Sequence, residues 1–204
     1  MTKKLSGLNW QQIYPYLLVI GAAIGIIASG ILMVDKIKLA ANPGFQPNCN
    51  LNPIFSCTSV MKSEEANAFG FPNPIIGLVS FGVVITVGMA MLAGAGKRLM
   101  FKRWFWLGLQ AGTLFGVLFV HWLFYHTVYD INALCLYCMA VWTVTIPIFW
   151  YTLLYNLKEG HIKTPAPLRK AVDFAYTNHL GILIVWYLAI AAAILRHFWY
   201  YFGP

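Results

Sequence analysis

Five long, almost uncharged apolar stretches constrain the fold of this chain more than any other feature. They cover residues 14–34, 74–96, 104–125, 133–155 and about 176–196. Each has 20 or more residues, and a helix that rises about 1.5 Å per residue then crosses the hydrocarbon core of a bilayer. Because lipid offers the backbone no hydrogen-bond partner, we expect a helix at each stretch.

The composition excludes two other classes of protein. Of the 204 residues, 60% are apolar and only 10% are charged. Soluble domains are usually about 25% charged, and disordered chains are poor in apolar residues. We therefore predict one all-α membrane domain over residues 1–204. Four helices within residues 14–155 form a bundle core, a fifth helix is added at 176–196, and a short helix lies in the first outer loop.

The distribution of basic residues predicts the direction of the helices. Four of the 14 basic residues fall on one side of the predicted membrane, namely Lys36, Lys38, Lys62 and Arg196. Ten fall on the other side, namely Lys3, Lys4, Lys97, Arg98, Lys102, Arg103, Lys158, Lys163, Arg169 and Lys170. By the positive-inside rule, the second side and the N-terminus are cytoplasmic. The net charge of +8 thus reflects topology, and we expect no nucleic-acid partner.

All four cysteines fall on the predicted outer side, where disulfides persist. Cys49 and Cys57, the loop pair, lie in the longest connection, and Cys135 and Cys138, the rim pair, form a C-x-x-C at the start of the fourth helix. A helix N-terminus stabilises a thiolate, which is the species that exchanges disulfides. Three other interpretations stay open: inert apolar cysteines, a purely structural loop disulfide, and a zinc site made by all four.

Two cysteine pairs in these positions indicate an electron relay. The loop pair is placed to meet a soluble protein, and the rim pair is placed to meet a molecule dissolved in lipid. A quinone is the natural two-electron acceptor in a membrane, although nothing in the composition names one. We expect no metal in this relay.

Several motifs in the same region have a fixed order and spacing. They are Cys49-Asn-Leu-Asn-Pro-Ile-Phe-Ser-Cys57, Ser63, Asn73-Pro-Ile-Ile-Gly77 and, two helices later, Cys135-Leu-Tyr-Cys138. Together they resemble the vitamin K epoxide reductase (VKOR) family over about residues 14–155. The C-x-x-C comes second, as in that family, whereas in the quinone-linked DsbB family it comes first. The fifth helix resembles the bacterial arrangement.

The resemblance implies a role for each cysteine. Cys138 is similar to the thiol that faces the quinone, and Cys135 is similar to its partner. Cys57 then passes electrons to Cys135, and Cys49 exchanges with a redox protein. Many bacterial relatives carry a fused thioredoxin-like domain. This chain stops at Pro204, so we expect a separate thioredoxin-fold, DsbA-like partner on the outer side.

The resemblance also implies three residues at the quinone. Asn73 matches an asparagine that hydrogen-bonds a quinone carbonyl, and Ser63 matches a hydroxyl residue six positions after Cys57. The local sequence gives both a simpler role: Ser63 before two glutamates is a helix N-cap, and Asn73 before a proline is a turn residue. Trp142 stands where animal members carry a tyrosine, which favours disulfide oxidation over epoxide reduction.

These features predict a multi-pass thiol–disulfide oxidoreductase of the bacterial cytoplasmic membrane. It passes electrons to a quinone of the menaquinone, ubiquinone or vitamin K type and supports disulfide formation in exported proteins. The first alternative is a vitamin K epoxide or quinone reductase. The second is a non-enzymatic scaffold or channel with structural disulfides.

Two further features carry predictions about packing and chemistry. Gly21 and Gly25 in the first helix, and the glycines at 108, 112 and 116 in the third, have the four-residue spacing of close helix contacts. His126 and Asp130 near the rim pair either tune a thiol and move protons or mark the water interface. His121 is predicted to be a packed polar residue.

Overall fold

The computed structural model describes residues 10–94 and 101–202. Lys3, Lys4, Lys97, Arg98 and the predicted helix end at Gly96 lie outside the described residues. Within them the α-helices are α1 Trp10–Ala41, α2 Cys57–Lys62, α3 Pro74–Ala93, α4 Arg103–Tyr125, α5 Leu136–Lys158, α6 Arg169–Thr177, α7 His179–His197 and α8 Trp199–Phe202. Short 3₁₀ helices cover Glu64–Asn67 and Ala166–Leu168, and a π-helical turn covers His126–Asp130.

Five of these helices are long and apolar enough to cross a membrane, namely α1, α3, α4, α5 and α7. The described part of the chain holds no β-strand, only one isolated bridge. The prediction of an all-α, multi-pass membrane protein is therefore confirmed. The short helix expected in the first outer loop is also present, as α2 followed by the 3₁₀ turn.

Of the helix boundaries that differ from the predicted ones, three have clear local reasons. α1 continues past residue 34 to Ala41, because the charged residues that follow the apolar stretch tolerate a helix and the next proline after that stretch is Pro43. α5 begins three residues late, since Asn132 has a positive φ of 56° and Leu134 pairs with Phe55 in the bridge. The fifth span begins at His179, after a break that separates it from α6.

Close glycine contacts hold α1 in the middle of the bundle. α1 packs against α3 and α5, and α5 also packs against α4. A Cβ added at Gly25 would lie 2.5 Å from the Phe81 ring, and one at Gly21 would lie 3.2 Å from Ile148. At Gly25 a Cβ would fit only if the Phe81 ring moved, and at Gly21 the contact would be tight. The packing prediction for α1 is therefore confirmed.

The same prediction is wrong for α4. A Cβ added at Gly108 or Gly112 would meet no heavy atom within 4 Å, and one at Gly116 would lie 3.5 Å from Thr145. The reason is that α3 and α4 do not pack closely against each other. The α4 glycines line the space between them and widen a cavity there.

The fifth spanning helix, α7, lies at the edge of the bundle and is attached by polar side chains. Trp186 Nε1 donates to His121 Nε2 over 2.9 Å, and the other ring nitrogen of His121 bonds to the Val117 carbonyl over 2.7 Å. The Tyr187 hydroxyl donates to the Thr143 carbonyl over 2.6 Å. His121 is thus the packed polar residue that the sequence predicted.

Candidate redox site

The loop pair forms a disulfide, Cys49–Cys57, within a well-packed loop. Asn50 ties the two ends of this loop together: its Nδ2 donates to Thr58 Oγ1 over 2.7 Å, and its Oδ1 accepts from the Thr58 backbone over 3.1 Å. Cys49 is only 2% exposed and Cys57 is fully buried. The loop is therefore closed over its own disulfide.

A backbone bridge places the loop pair against the rim pair. The Leu134 N–H donates to the Ile54 carbonyl over 2.6 Å, and the Ser56 N–H donates to the Leu134 carbonyl over 3.0 Å. The next residue of each segment is a cysteine, and the Sγ atoms of Cys57 and Cys135 lie 3.1 Å apart. This spacing suits attack of one sulfur on the other.

The rim pair consists of two free thiols at the start of α5. Cys135 is the N-cap residue and is fully buried, whereas Cys138 is in the first turn and half-buried. A hydrogen bond from the Cys138 thiol holds the pKa of Cys135 below its ordinary value, and the Cys138 and Tyr137 N–H groups add to this effect. The thiolate that the sequence predicted at this helix end is therefore favoured on Cys135.

A cavity of about 480 Å³ begins at Cys138 and runs between α3 and α4 along the faces of α1 and α5. This volume is in the range of sites for small organic ligands. Its walls within the spanning region are almost entirely apolar, with members such as Val83, Leu109, Phe115 and Ile148. The charged groups and the amide lie at the end that carries the cysteines, where Lys36, Ser63, Glu65, Asn73 and Cys138 line the cavity.

The segment that follows α2, residues 64–70, closes the end of this cavity that lies near the cysteines. We call this segment the cap. The Phe69 ring packs against Phe115 and Phe119 of α4, with centroids 6.2 and 5.5 Å apart. Val79 and Val83 of α3 also line the cavity and are 64% and 52% exposed at the surface of the chain. The cavity is thus capped at the end that carries the cysteines and open towards the side of the bundle.

Asn73 lines the cavity, but its side chain also holds the cap together. Its Nδ2 donates to the Glu65 carbonyl over 2.6 Å, and its Oδ1 accepts from the Ala68 N–H over 3.1 Å. It makes no side-chain cap bond to α3. One Nδ2 proton remains for another acceptor. The turn role that the local sequence gives Asn73 therefore describes only part of what the residue does. Its side chain also bonds Glu65 and Ala68 across the whole turn.

Ser63 ends α2 and does not act as the predicted N-cap, because its side chain makes no capping hydrogen bond to the turn that follows. The carboxyl of Glu65 has a lowered pKa, first through its own backbone N–H and then through the nearby Ser63 hydroxyl. Even so, Ser63 Oγ is buried and has no partner at ordinary hydrogen-bond length in the part of the chain described. Since Ser63 lines the cavity, its hydroxyl can serve a bound polar group.

Trp142 lies on the cavity wall, one turn of α5 beyond Cys138. Its ring is buried and meets Phe124 edge to face, with centroids 5.1 Å apart. Trp142 thus offers a bound ligand an aromatic surface and, unlike a tyrosine, no hydroxyl.

His126 and Asp130 lie in the π-helical turn that follows α4 and form a hydrogen-bonded pair, with Nδ1 and Oδ2 2.5 Å apart. Glu65 Oε1 lies 4.0 Å from the same ring nitrogen, so the pair reaches the cavity cap. The two residues do not touch either cysteine pair directly. No pattern in the sequence predicts the contact of His126 with Glu65.

A metal centre does not fit the cysteines as they are paired here. A zinc site needs free thiolates, and Cys49 and Cys57 are bonded to each other. No group of three or more His, Cys, Asp or Glu side chains among the described residues is placed to hold a metal ion.

Lys36 is a cavity residue that the sequence did not single out. A signal was available, because Ser29, Leu32 and Lys36 recur at helical spacing and all three line the cavity. In the charge distribution, Lys36 is only one of the four basic residues on the side of the predicted membrane that carries the cysteines.

Comparisons with known proteins agree with the geometry. A search of curated proteins found no match. A family model described as the vitamin K epoxide reductase family matches residues 16–153, a stretch that contains both cysteine pairs, all of α3 and α4, and most of α1 and α5. Membership implies oxidoreductase activity based on thiol–disulfide chemistry in a membrane. This multi-pass membrane chain belongs to the vitamin K epoxide reductase family.

Proposed function

We propose that the protein passes two electrons from a thioredoxin-fold carrier, through the loop pair and then the rim pair, to a quinone. The observation that carries this proposal is the order of the sulfurs. The loop disulfide approaches the rim pair to 3.1 Å, and the rim pair ends at the cavity. Each sulfur is next to the one with which it must exchange.

In the first exchange, a thiolate of the reduced carrier attacks Cys49 and releases Cys57 as a thiolate. The second carrier thiol then displaces Cys49, so that the carrier leaves with a disulfide and the loop pair is reduced. Because Cys49 is almost completely buried, the loop has to open for the carrier to reach it. The Asn50 hydrogen bonds, which hold the loop closed, therefore control access of the carrier to Cys49.

In the second exchange, Cys57 attacks Cys135 in a rim disulfide and releases Cys138. Cys49 then attacks Cys57, which restores the loop disulfide and leaves Cys135 and Cys138 as thiols. This final pairing is the one that the structure has. The lowered pKa of Cys135 makes it a good leaving group in the last step.

A quinone accepts the two electrons and two protons of the rim thiols and leaves as a quinol. The cavity fits such a molecule, since it is polar at one end and apolar along its length. Asn73 and Ser63 would hold the polar ring, with one free Nδ2 proton and one unpartnered hydroxyl respectively. Trp142 would contribute an aromatic surface beside Cys138.

We place this reaction in the bacterial cytoplasmic membrane, with the N-terminus inside and the cysteines outside. The support is the ten-to-four division of basic residues. In a chain whose native cysteines are replaced by serine, an impermeant thiol reagent added to intact cells should modify Ala68→Cys and not Lys163→Cys. The opposite labelling pattern would show that the orientation is reversed.

The proposal is tested with purified protein, reduced DsbA-like carrier and a soluble quinone. We expect quinone consumption that depends on the carrier. Cys138→Ala should abolish quinone reduction, whereas Cys49→Ala should chiefly block oxidation of the carrier. Ser59→Ala, on the exposed side of α2, is the matched control and should leave both reactions unchanged.

Two results would contradict the proposal. If Cys49→Ala is fully active with the carrier, the order of the relay is wrong. If thiol trapping shows that both pairs keep one fixed oxidation state during turnover, the disulfide is structural and the chain is a scaffold or channel. Relay disulfides would instead cycle between thiol and disulfide.

The family name itself favours a second candidate, reduction of a vitamin K epoxide. Such a reaction would use the same cavity and the same rim pair. Trp142 supplies no hydroxyl to the epoxide, so we expect quinone to be the faster substrate. An assay that offers the epoxide and the quinone separately decides between the two.

A further inference from the structure

Two charged side chains face an otherwise uncharged cavity. Of the described residues that line it, only Lys36 and Glu65 belong to Lys, Arg, Asp or Glu. Lys36 lies on the same stripe of α1 as Leu32 and Ser29, one and two turns below it, and both of these also line the cavity. The ammonium is therefore at the outer end of the cavity, the end that contains Cys138.

The Lys36 ammonium is held in place but not neutralised. Its Nζ donates to the carbonyl of Met61, in the last turn of α2, over 3.1 Å. An ammonium has three protons, so two remain. No Asp or Glu among the described residues forms an ion pair with Lys36, and Glu65 is near His126 instead. A half-buried cation of this kind is stabilised by an acceptor that carries negative charge.

We propose that Lys36 binds a carbonyl oxygen of the quinone and stabilises the negative charge that this oxygen gains during reduction. The inference rests on the proposed function and adds a residue to it. Preorganised donors aimed at a developing oxyanion lower the barrier most in a site that excludes water. Nothing else on the cavity wall has a positive charge among the described residues.

The electron and proton balance of the step is simple. Two S–H bonds break, at Cys135 and Cys138, and one S–S bond forms between them. The two electrons and two protons go to the quinone, which becomes a quinol. When electrons arrive before protons, the carbonyl oxygen is transiently negative. Lys36 offsets that charge and keeps its own proton at the end of the step.

The competing explanation is that Lys36 merely tethers α1 to α2. The two roles predict that substitution of Lys36 affects different half-reactions. Loss of a tether would change the distance between the cysteine pairs. It would therefore slow the exchange with the carrier as well as the reduction of the quinone. A residue that binds the quinone would affect only the quinone half-reaction and quinone affinity.

The test compares Lys36→Met and Lys36→Arg with Lys62→Met, which removes an exposed positive charge next to Met61 that does not line the cavity. Three quantities are measured: kcat/KM for quinone, quinone affinity from quenching of tryptophan fluorescence, and the rate at which reduced carrier reduces the cysteines when no quinone is added. Unfolding temperature in detergent is recorded for all variants.

For Lys36→Met we expect kcat/KM for quinone to fall about 100-fold and quinone affinity to fall about 10-fold. The carrier half-reaction and the unfolding temperature should match those of Lys62→Met. Lys36→Arg should recover most of the quinone reduction, because it keeps the charge and the donors. Lys62→Met should behave as the wild type in all assays.

Two outcomes overturn the inference while the proposed function stands: unchanged quinone reduction in Lys36→Met, or equal losses in the carrier and quinone half-reactions. If the wild type exchanges with the carrier but neither binds nor reduces any quinone, the proposed acceptor is wrong and the inference fails with it. The fluorescence titration separates these cases, because it reports binding without turnover.

Discussion

Asn73→Ala should loosen the cap of the cavity as well as weaken quinone binding. The substitution removes two hydrogen bonds, from Nδ2 to the Glu65 carbonyl and from the Ala68 N–H to Oδ1. A typical intramolecular hydrogen bond contributes about 1 kcal/mol to stability, so the cap loses about 2 kcal/mol. Since each 1.4 kcal/mol or so is a factor of ten, local opening of the cap becomes about 30-fold more frequent.

Hydrogen exchange measures this opening directly. The Ala68 amide loses its acceptor, and we expect exchange over residues 64–70 to become about 30-fold faster, while α5 exchanges as in the wild type. Asn67→Ala, an exposed position of the same turn, is the control and should change little. If Asn73→Ala raises KM for quinone but leaves exchange of the cap unchanged, Asn73 acts only as a ligand and the reasoning is refuted.

Three further predictions follow from the described geometry. Gly88→Ala places a Cβ 2.9 Å from Val19 and 3.1 Å from the Pro15 carbonyl, so the unfolding temperature should fall; no fall would mean that α1 and α3 separate easily. A Cβ added at Gly112 meets no heavy atom within 4 Å, so Gly112→Leu should leave the fold intact while its longer side chain fills the cavity and blocks quinone reduction, which a quinone assay beside a thermal melt will show. Cys138→Ala removes the main hydrogen bond that lowers the pKa of Cys135, so the thiolate absorbance of Cys135 should appear at higher pH; an unchanged titration curve would contradict that cause.

The number of spanning helices and the all-α class could be predicted, because both depend only on how an apolar chain satisfies its backbone in lipid. Any stretch as long and apolar as residues 14–34 has few ways to satisfy its backbone in a bilayer. The positions of the four cysteines on one end of the bundle followed from the same argument. That end is where the structure brings Cys57 and Cys135 together.

What the sequence did not predict depends on contacts between distant segments. The bridge from Ile54 and Ser56 to Leu134 has no local pattern, yet it aligns the two cysteine pairs. The glycines of α4 have the spacing of a helix contact, but spacing alone does not say whether a partner helix is present. Likewise, no rule applied to Asn73 and Pro74 reveals that the asparagine side chain reaches back to Glu65.

The open side of the cavity, between α3 and α4, has a kinetic consequence. Under the proposed function, the quinone would enter there from the bilayer, whereas the carrier would approach from water the loop that carries Cys49. The two reactants would then use separate access routes, and neither would have to leave before the other binds. A compound that fills the cavity should therefore inhibit noncompetitively with respect to the carrier, and enzyme, carrier and acceptor should form a ternary complex.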